Sequence, residues 1–163
     1  MAVEIRRMPY GTPAATELLA AMDAEMGALY GDAREVRDPA MGELIDVALT
    51  VHPEQMVAAV GAVGAFDSDD LVGHAALRPF EDALEVKRVI VRSDHRGRGI
   101  SKLLMLEVEA IARERGVSRL VLQTGDRQHE AVALYLRIGY VPIDRFGAYA
   151  PIPFFLCFGK TLL

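Results

Sequence analysis

In the stretch Val89-Ile90-Val91-Arg92-Ser93-Asp94-His95-Arg96-Gly97-Arg98-Gly99-Ile100-Ser101, two glycines and three arginines stand between a β-branched run and an amphipathic pattern. The run predicts a strand, and Ile100, Leu104, Val108 and Ile111 predict a helix beginning near Gly99. A helix start leaves backbone N–H groups unpaired and carries a partial positive charge. Glycines let an anion approach that backbone closely, and flanking arginines add full charges. The chemistry on offer is capture of a diphosphate. Two familiar phosphate patterns are absent: there is no G-x-x-x-x-G-K-[ST], and Lys102 occupies the last place of G-x-G-x-x-G. Taken alone, the stretch reads equally well as an ordinary turn.

Its neighbours separate the two readings. Arg96, Gly99 and Ser101 follow [QR]-x-x-G-x-[GA], with a small Ser in the last place. Downstream, Ala131, Leu134, Tyr135, Gly139 and Tyr140 follow A-x-x-L-Y-x-x-x-G-[FY], and Gln128 stands where Asn is often found. In these two motifs the chain resembles the GNAT superfamily of N-acetyltransferases, and in Leu122-Gln123-Thr124-Gly125-Asp126 and Phe146-Gly147-Ala148-Tyr149 it resembles small bacterial single-domain members. The resemblance runs from about Gln55 to Lys160 and is strongest from Glu85 to Tyr140. It implies acetyl-CoA as cosubstrate, with the diphosphate on Arg96, Gly97, Arg98, Gly99, Ile100 and Ser101. It also implies pantetheine paired with the main chain of Val89, Ile90 and Val91 as an added strand, and contacts from Gln128 and Tyr135.

Acetyl transfer to an amine needs a proton acceptor, a donor to the oxyanion and a proton for the departing thiolate. Glu85, eleven residues before Arg96, has the spacing at which members of the superfamily place a catalytic glutamate. The alternative is a strand glutamate paired with Lys87 or with a neighbouring strand. By resemblance Tyr135 donates to the CoA thiolate, against a plain core tyrosine as the alternative, and the Val89 N–H meets the oxyanion. Cys157 reads as a small buried apolar residue and His95 as a solvated turn residue. His52, His74 and His129 share no metal-ligand spacing, so no metal is expected.

These residues need elements to position them. Val3 to Met8 is a candidate first strand, and Thr12 with Pro13 predicts a helix start, the helix reaching about Tyr30. Gly31 to Pro39 reads as a turn-rich connection and Met41 to Leu49 as a second helix. Met56 to Val63 and Leu71 to Leu77 read as a hairpin about a turn from Phe66 to Asp70, and Ala83 to Val91 as a third strand after a turn from Pro79 to Asp82. A helix from about Gly99 to Arg115 ends at Gly116. Leu120 to Gln123, a helix from Glu130 to Ile138, Tyr140 to Ile143 and Phe154 to Phe158 complete the series. The class is α+β around one mixed sheet. The resemblance sharpens this to a three-layer αβα-like fold with a mostly antiparallel sheet.

The chain has 163 residues, so one domain spanning 1–163 is expected. The formal charge of −5 argues against a general nucleic-acid partner. No apolar run approaches the length of a membrane span, and the lone Cys157 allows no internal disulfide, so a reduced cytoplasmic protein is expected. The leading function is acetyl transfer to a small primary amine by direct attack. Transfer to a protein N-terminus or lysine, and a CoA-binding module without catalysis, stay open. Acceptor choice in the superfamily lies in the segments that here are Thr12 to Leu49 and Asp144 to Phe155. The second is apolar and Pro-rich, which suits either an acceptor with an apolar portion or a homodimer surface.

Overall fold

The computed structural model describes residues 2–35, 39–52 and 61–163. Among them, seven strands form one sheet in the order β1-β2-β3-β4-β5-β7-β6. In chain order these are β1 (Glu4–Met8), β2 (Gly61–Asp67), β3 (Asp70–Phe80), β4 (Ala83–Val91), β5 (Arg119–Gly125), β6 (Val141–Ile143) and β7 (Phe155–Thr161). Only β4 and β5 pair in parallel. The helices are α1 (Pro13–Glu35), α2 (Pro39–Leu49), α3 (Ile100–Glu114) and α4 (His129–Arg137). This is the expected α+β class.

Strand alternation sets the layers. Val72, Leu84, Val86 and Val91 face α3, whose Leu104, Met105, Val108 and Ala112 are fully buried. Leu71 and Ile90 face Ala15, Leu18 and Leu19 of α1 on the other side. A smaller core joins Ile45 and Ala48 of α2 to Tyr149, Ile152, Phe155 and Cys157. The buried Glu109 of α3 keeps its charge paired. Lys160 Nζ donates to it at 2.7 Å and to the Ile138 carbonyl at 2.8 Å, tying α3 to β7 and to the end of α4.

Local chemistry explains most boundaries. The Thr12 hydroxyl accepts from the Ala15 N–H at 3.3 Å, the N-cap that the sequence predicts. Gly116 and Gly139 end α3 and α4 with φ +70° and +94°. Two expectations change and a third falls partly outside the described residues. Helix α1 continues through Gly31 to Glu35, where a turn-rich connection was expected. Polar residues do not by themselves interrupt a helix. The expected turn from Phe66 to Asp70 shrinks to Ser68 and Asp69, because Asp67 pairs with Asp70 in a tight hairpin. The strand starting at Gly61 was expected from Met56, and residues 56–60 lie outside the described residues.

At Gly64 in β2, a Cβ would lie 2.6 Å from the Met8 sulfur and 2.8 Å from a Leu71 methyl. Gly64→Ala is therefore expected to cost ~1–2 kcal/mol through overpacking. In a chain of this size that lowers Tm by roughly 2–6 °C. Thermal unfolding checks it, and an unchanged Tm would mean that Met8 and Leu71 swing aside freely.

Candidate active site

Strand β4 carries an irregularity that shapes the site. His74 pairs with Ile90 and Ala76 with Lys87, so Ala75 alone faces both Arg88 and Val89. Arg88 takes φ +57°, and the ring Nδ1 of the buried His74 donates to its carbonyl at 2.8 Å. Burial holds the His74 pKa below its usual value, which favours that neutral donor. A bulge of this kind bends its strand and increases the twist. β4 accordingly leaves β5 after Val86 pairs with Leu122, whereas β5 runs on beside β7 to Gly125. The extra residue also reverses the alternation, so that Ile90 turns to α1 while Val91 joins the core under α3.

The strands enclose a cavity of about 340 Å³ where they part. Val86 to Val89 form one wall and Gln123 to Gly125 the other, with Gln128 and Tyr135 of α4 beside them. Met22, Met26, Ile45, Leu49 and Phe154 make it apolar on the helical side. Gly125 is required here, since a Cβ would overlap the Tyr30 hydroxyl. That hydroxyl accepts from the Arg127 N–H at 2.9 Å, and Arg127 Nη1 donates to the Leu29 carbonyl, clipping α1 to the corner between β5 and α4. Arg88 adds a two-point pairing to Asp23 of α1, at 2.6 and 3.2 Å.

Of the residues singled out in the sequence, Val89, Gln128 and Tyr135 line this cavity. Burial pushes the Tyr135 hydroxyl well above the ordinary tyrosine range, and its ring packs on Tyr140 and Phe158. Ile90 and Val91 are buried and offer a ligand only their main chain. Glu85 sits behind the wall and is fully buried. Its Oε2 accepts from Arg78 Nε at 2.7 Å, and its Oε1 accepts from the Tyr149 hydroxyl at 2.5 Å. Both pairings weighed for it in the sequence are present, since Lys87 Nζ is 3.7 Å from Oε1 and Arg78 stands opposite Glu85 in the register.

The glycine loop follows β4. Gly97 and Gly99 take φ +75° and +77°, which L side chains rarely adopt, and the space where a Cβ would stand is open at both. Gly99 is the N-cap of α3. The side chain of Ile100 is buried, and the first N–H groups of α3 have no partner within the helix. Arg96 donates to the Val91 carbonyl at 2.9 Å and pairs with Glu25 of α1 at 2.7 Å. Arg98 lies 3.8 Å from Asp67. His95 departs from the solvated residue expected: hydrogen bonds to Asp94 and Asp67 raise its pKa and fasten the loop to the hairpin between β2 and β3. Cys157 is buried as expected, and burial raises its thiol pKa.

Three side chains stand at the site with no role assigned to them from the sequence. Lys87 is in the cavity wall, and period-two spacing from Glu85 is the one signal that could have found it. Tyr149, far along the chain, bridges the two, accepting from Lys87 Nζ at 2.5 Å while donating to Glu85. Thr124 presents a buried hydroxyl oxygen in the opposite wall with no hydrogen-bond partner among the described residues.

Comparison with known proteins bears on the fold and the family. An IAA acetyltransferase of Azospirillum brasilense is 40% identical over 78 residues, 48% of this chain and 51% of that protein. The chain spans a third to a half of the length of the curated relatives it matches. A solved Klebsiella pneumoniae structure, of a protein assigned to the acyl-CoA N-acyltransferases, superposes with TM-score 0.76 at 29% identity over 99% of this chain and 98% of the other. The PaiA N-acetyltransferase of Thermoplasma acidophilum, solved with coenzyme A, shares the fold at TM-score 0.70 and 18% identity over 99% of both chains. The model of the acetyltransferase (GNAT) family matches residues 25–140, and the chain belongs to that family.

Proposed function

We propose that this chain transfers the acetyl group of acetyl-CoA to the primary amine of a small molecule, by direct attack within a ternary complex and on a single domain. The observation that carries the reading is the cavity where β4 and β5 part, lined by Val89, Gln128 and Tyr135, on the strand that runs on into the glycine loop. The residues present fit coenzyme A. First-turn N–H groups without a partner in the helix and positive φ at Gly97 and Gly99 suit a diphosphate, with Arg98 and Ser101 beside it. The Arg96 pairing with Glu25 is half exposed and weak, so a diphosphate can compete for that guanidinium. We read the pantetheine arm as pairing with the main chain of Val89, Ile90 and Val91 past the point where β5 departs, with the Val91 carbonyl already accepting from Arg96. CoA supplies the thioester; the protein orients it and moves protons.

The Val89 N–H takes the oxyanion, the Tyr135 hydroxyl faces the thiolate, and the amine proton leaves on the side where Lys87, Tyr149 and Glu85 lie. An acyl-cysteine is disfavoured by the buried, high-pKa thiol of Cys157. A reducing cytoplasm suits that lone thiol. Apolar side chains from α1, α2 and Phe154 suit an acceptor with an apolar body. A panel of primary amines and peptides, followed by release of CoA thiol, tests the reading. Turnover is expected with small apolar amines and not with peptides. Turnover of peptides alone would overturn the acceptor class, and CoA binding without any turnover would favour a non-catalytic module.

A further inference from the structure

A base must take the proton that the acceptor ammonium loses, and the carboxylate expected for this work is already occupied. Both Glu85 oxygens are hydrogen-bonded, to Arg78 and to Tyr149, and the residue does not line the cavity. Lys87 does line it, with Nζ 2.5 Å from the Tyr149 hydroxyl. We infer that Lys87 is the catalytic residue that accepts the proton from the acceptor amine, with Tyr149 and Glu85 as its positioning residues. The inference rests on the acetyl-transfer reading of the cavity.

The charged and titratable groups around Lys87 are few. Glu85 and Arg88 flank it on β4, Arg78 approaches from β3, Tyr149 from its turn and Cys157 from β7, and Asp23 of α1 lines the same cavity. From α2 the cavity receives the apolar Ile45 and Leu49. Burial lowers the Lys87 ammonium to about 8, Glu85 opposes the fall, and Arg78 and Arg88 add to it. Near pH 7 about a tenth of the lysine is then neutral, against almost none for a solvated one. Neutral Lys87 still has an N–H to give Tyr149 and keeps a lone pair to accept a proton.

The step balances. The ammonium R–NH3+ gives one proton to neutral Lys87, and the freed amine attacks the acetyl carbonyl, forming the C–N bond. The C–S bond breaks and the thiolate departs with the electron pair. A second proton from nitrogen ends on sulfur, and protonated Lys87 returns its proton to solvent. Free amide and free thiol remain.

The test uses kcat against pH at saturating amine, with acetyl-CoA binding by calorimetry as the folding control. Lys87→Met should lose about 100-fold or more in kcat, the scale of a missing general base, and keep acetyl-CoA affinity. Lys87→Arg preserves the charge but stays protonated, so it should not restore activity. Glu85→Gln removes the charge that raises the Lys87 pKa, and should move the acid limb of kcat to lower pH while activity at high pH stays within about tenfold. The acceptor's own titration cannot produce a limb that moves with Glu85. An active Lys87→Arg, or a Lys87→Met that raises KM alone, would make Lys87 a binding charge and overturn the inference. So would a Glu85→Gln variant that is inactive at every pH with no shift. Absence of any turnover by the wild type would instead sink the acetyl-transfer reading.

Discussion

Gly99→Asp should weaken acetyl-CoA binding by roughly 100-fold, about 2.7 kcal/mol, in a chain that still folds. The position separates charge from shape unusually well. A Cβ there meets nothing within 4 Å, so the new side chain displaces no neighbour. The backbone stands at φ +77° and ψ 8°, a region where Asp and Asn are the best tolerated residues after glycine. Strain costs on the order of 1 kcal/mol and falls on bound and free states alike. The carboxylate, by contrast, sits at the positive end of α3, where it satisfies the N–H groups proposed for the diphosphate and repels its charge. Gly99→Asn has nearly the same shape without the charge and should lose only a few-fold. Calorimetry on both variants measures the difference. Equal losses would assign the effect to backbone geometry, and two unchanged affinities would place the diphosphate elsewhere.

That loop was readable because its chemistry is local. A strand end, φ-permissive glycines and a helix start follow one another within thirteen residues, and each leaves its mark in the residue types. The same holds for α4 with Gly139, for the Thr12 cap and for the run Ala83 to Val91. The cleft itself was not readable. It opens because Arg88 adopts a left-handed conformation in mid-strand, and no Gly or Asn marks the spot. The device that steadies it is a hydrogen bond from His74 on another strand. Glu85 was legible as a carboxylate on the right strand at the right spacing. Its enclosure by Arg78 and Tyr149 was not, because Tyr149 reaches it from a separate segment of chain, through tertiary packing with α2. Local pattern therefore located the glycine loop better than the hydrogen bonds that enclose Glu85.

The long reach of α1 has the same origin. Asp23, Glu25 and Tyr30 look like an unremarkable polar stripe in an Ala-rich helix, yet each meets the site. Asp23 holds the bulged Arg88, Glu25 holds Arg96, and Tyr30 rests on Gly125. Exposed ion pairs of this sort stabilise by less than about 1 kcal/mol each. Their consequence is positional: they set α1 over the cavity wall where acceptor and cofactor would meet.

Tyr135→Phe is expected to lower kcat by about 10–100-fold and to leave acetyl-CoA affinity and Tm nearly unchanged. Deleting the hydroxyl keeps the ring, and the ring makes the packing contacts with Tyr140 and Phe158. The size of the loss follows from acid strength. A free thiol has a pKa near 8.5, and burial drives the Tyr135 hydroxyl well above its ordinary value of about 10. Full proton transfer from that hydroxyl to the thiolate is therefore uphill. What it can give is a hydrogen bond to the sulfur as charge develops, worth ~1.5–3 kcal/mol for a charged acceptor. That corresponds to about one to two powers of ten in rate. The raised pKa also keeps Tyr135 protonated through the working range, so the variant's kcat profile should keep its shape and drop as a whole. Steady-state kinetics from pH 6 to pH 9.5 would show this. A variant as fast as the wild type would return Tyr135 to the core, whereas a lost high-pH limb would mean that the hydroxyl titrates despite its burial. Only in the first outcome would water be left to protonate the departing thiolate.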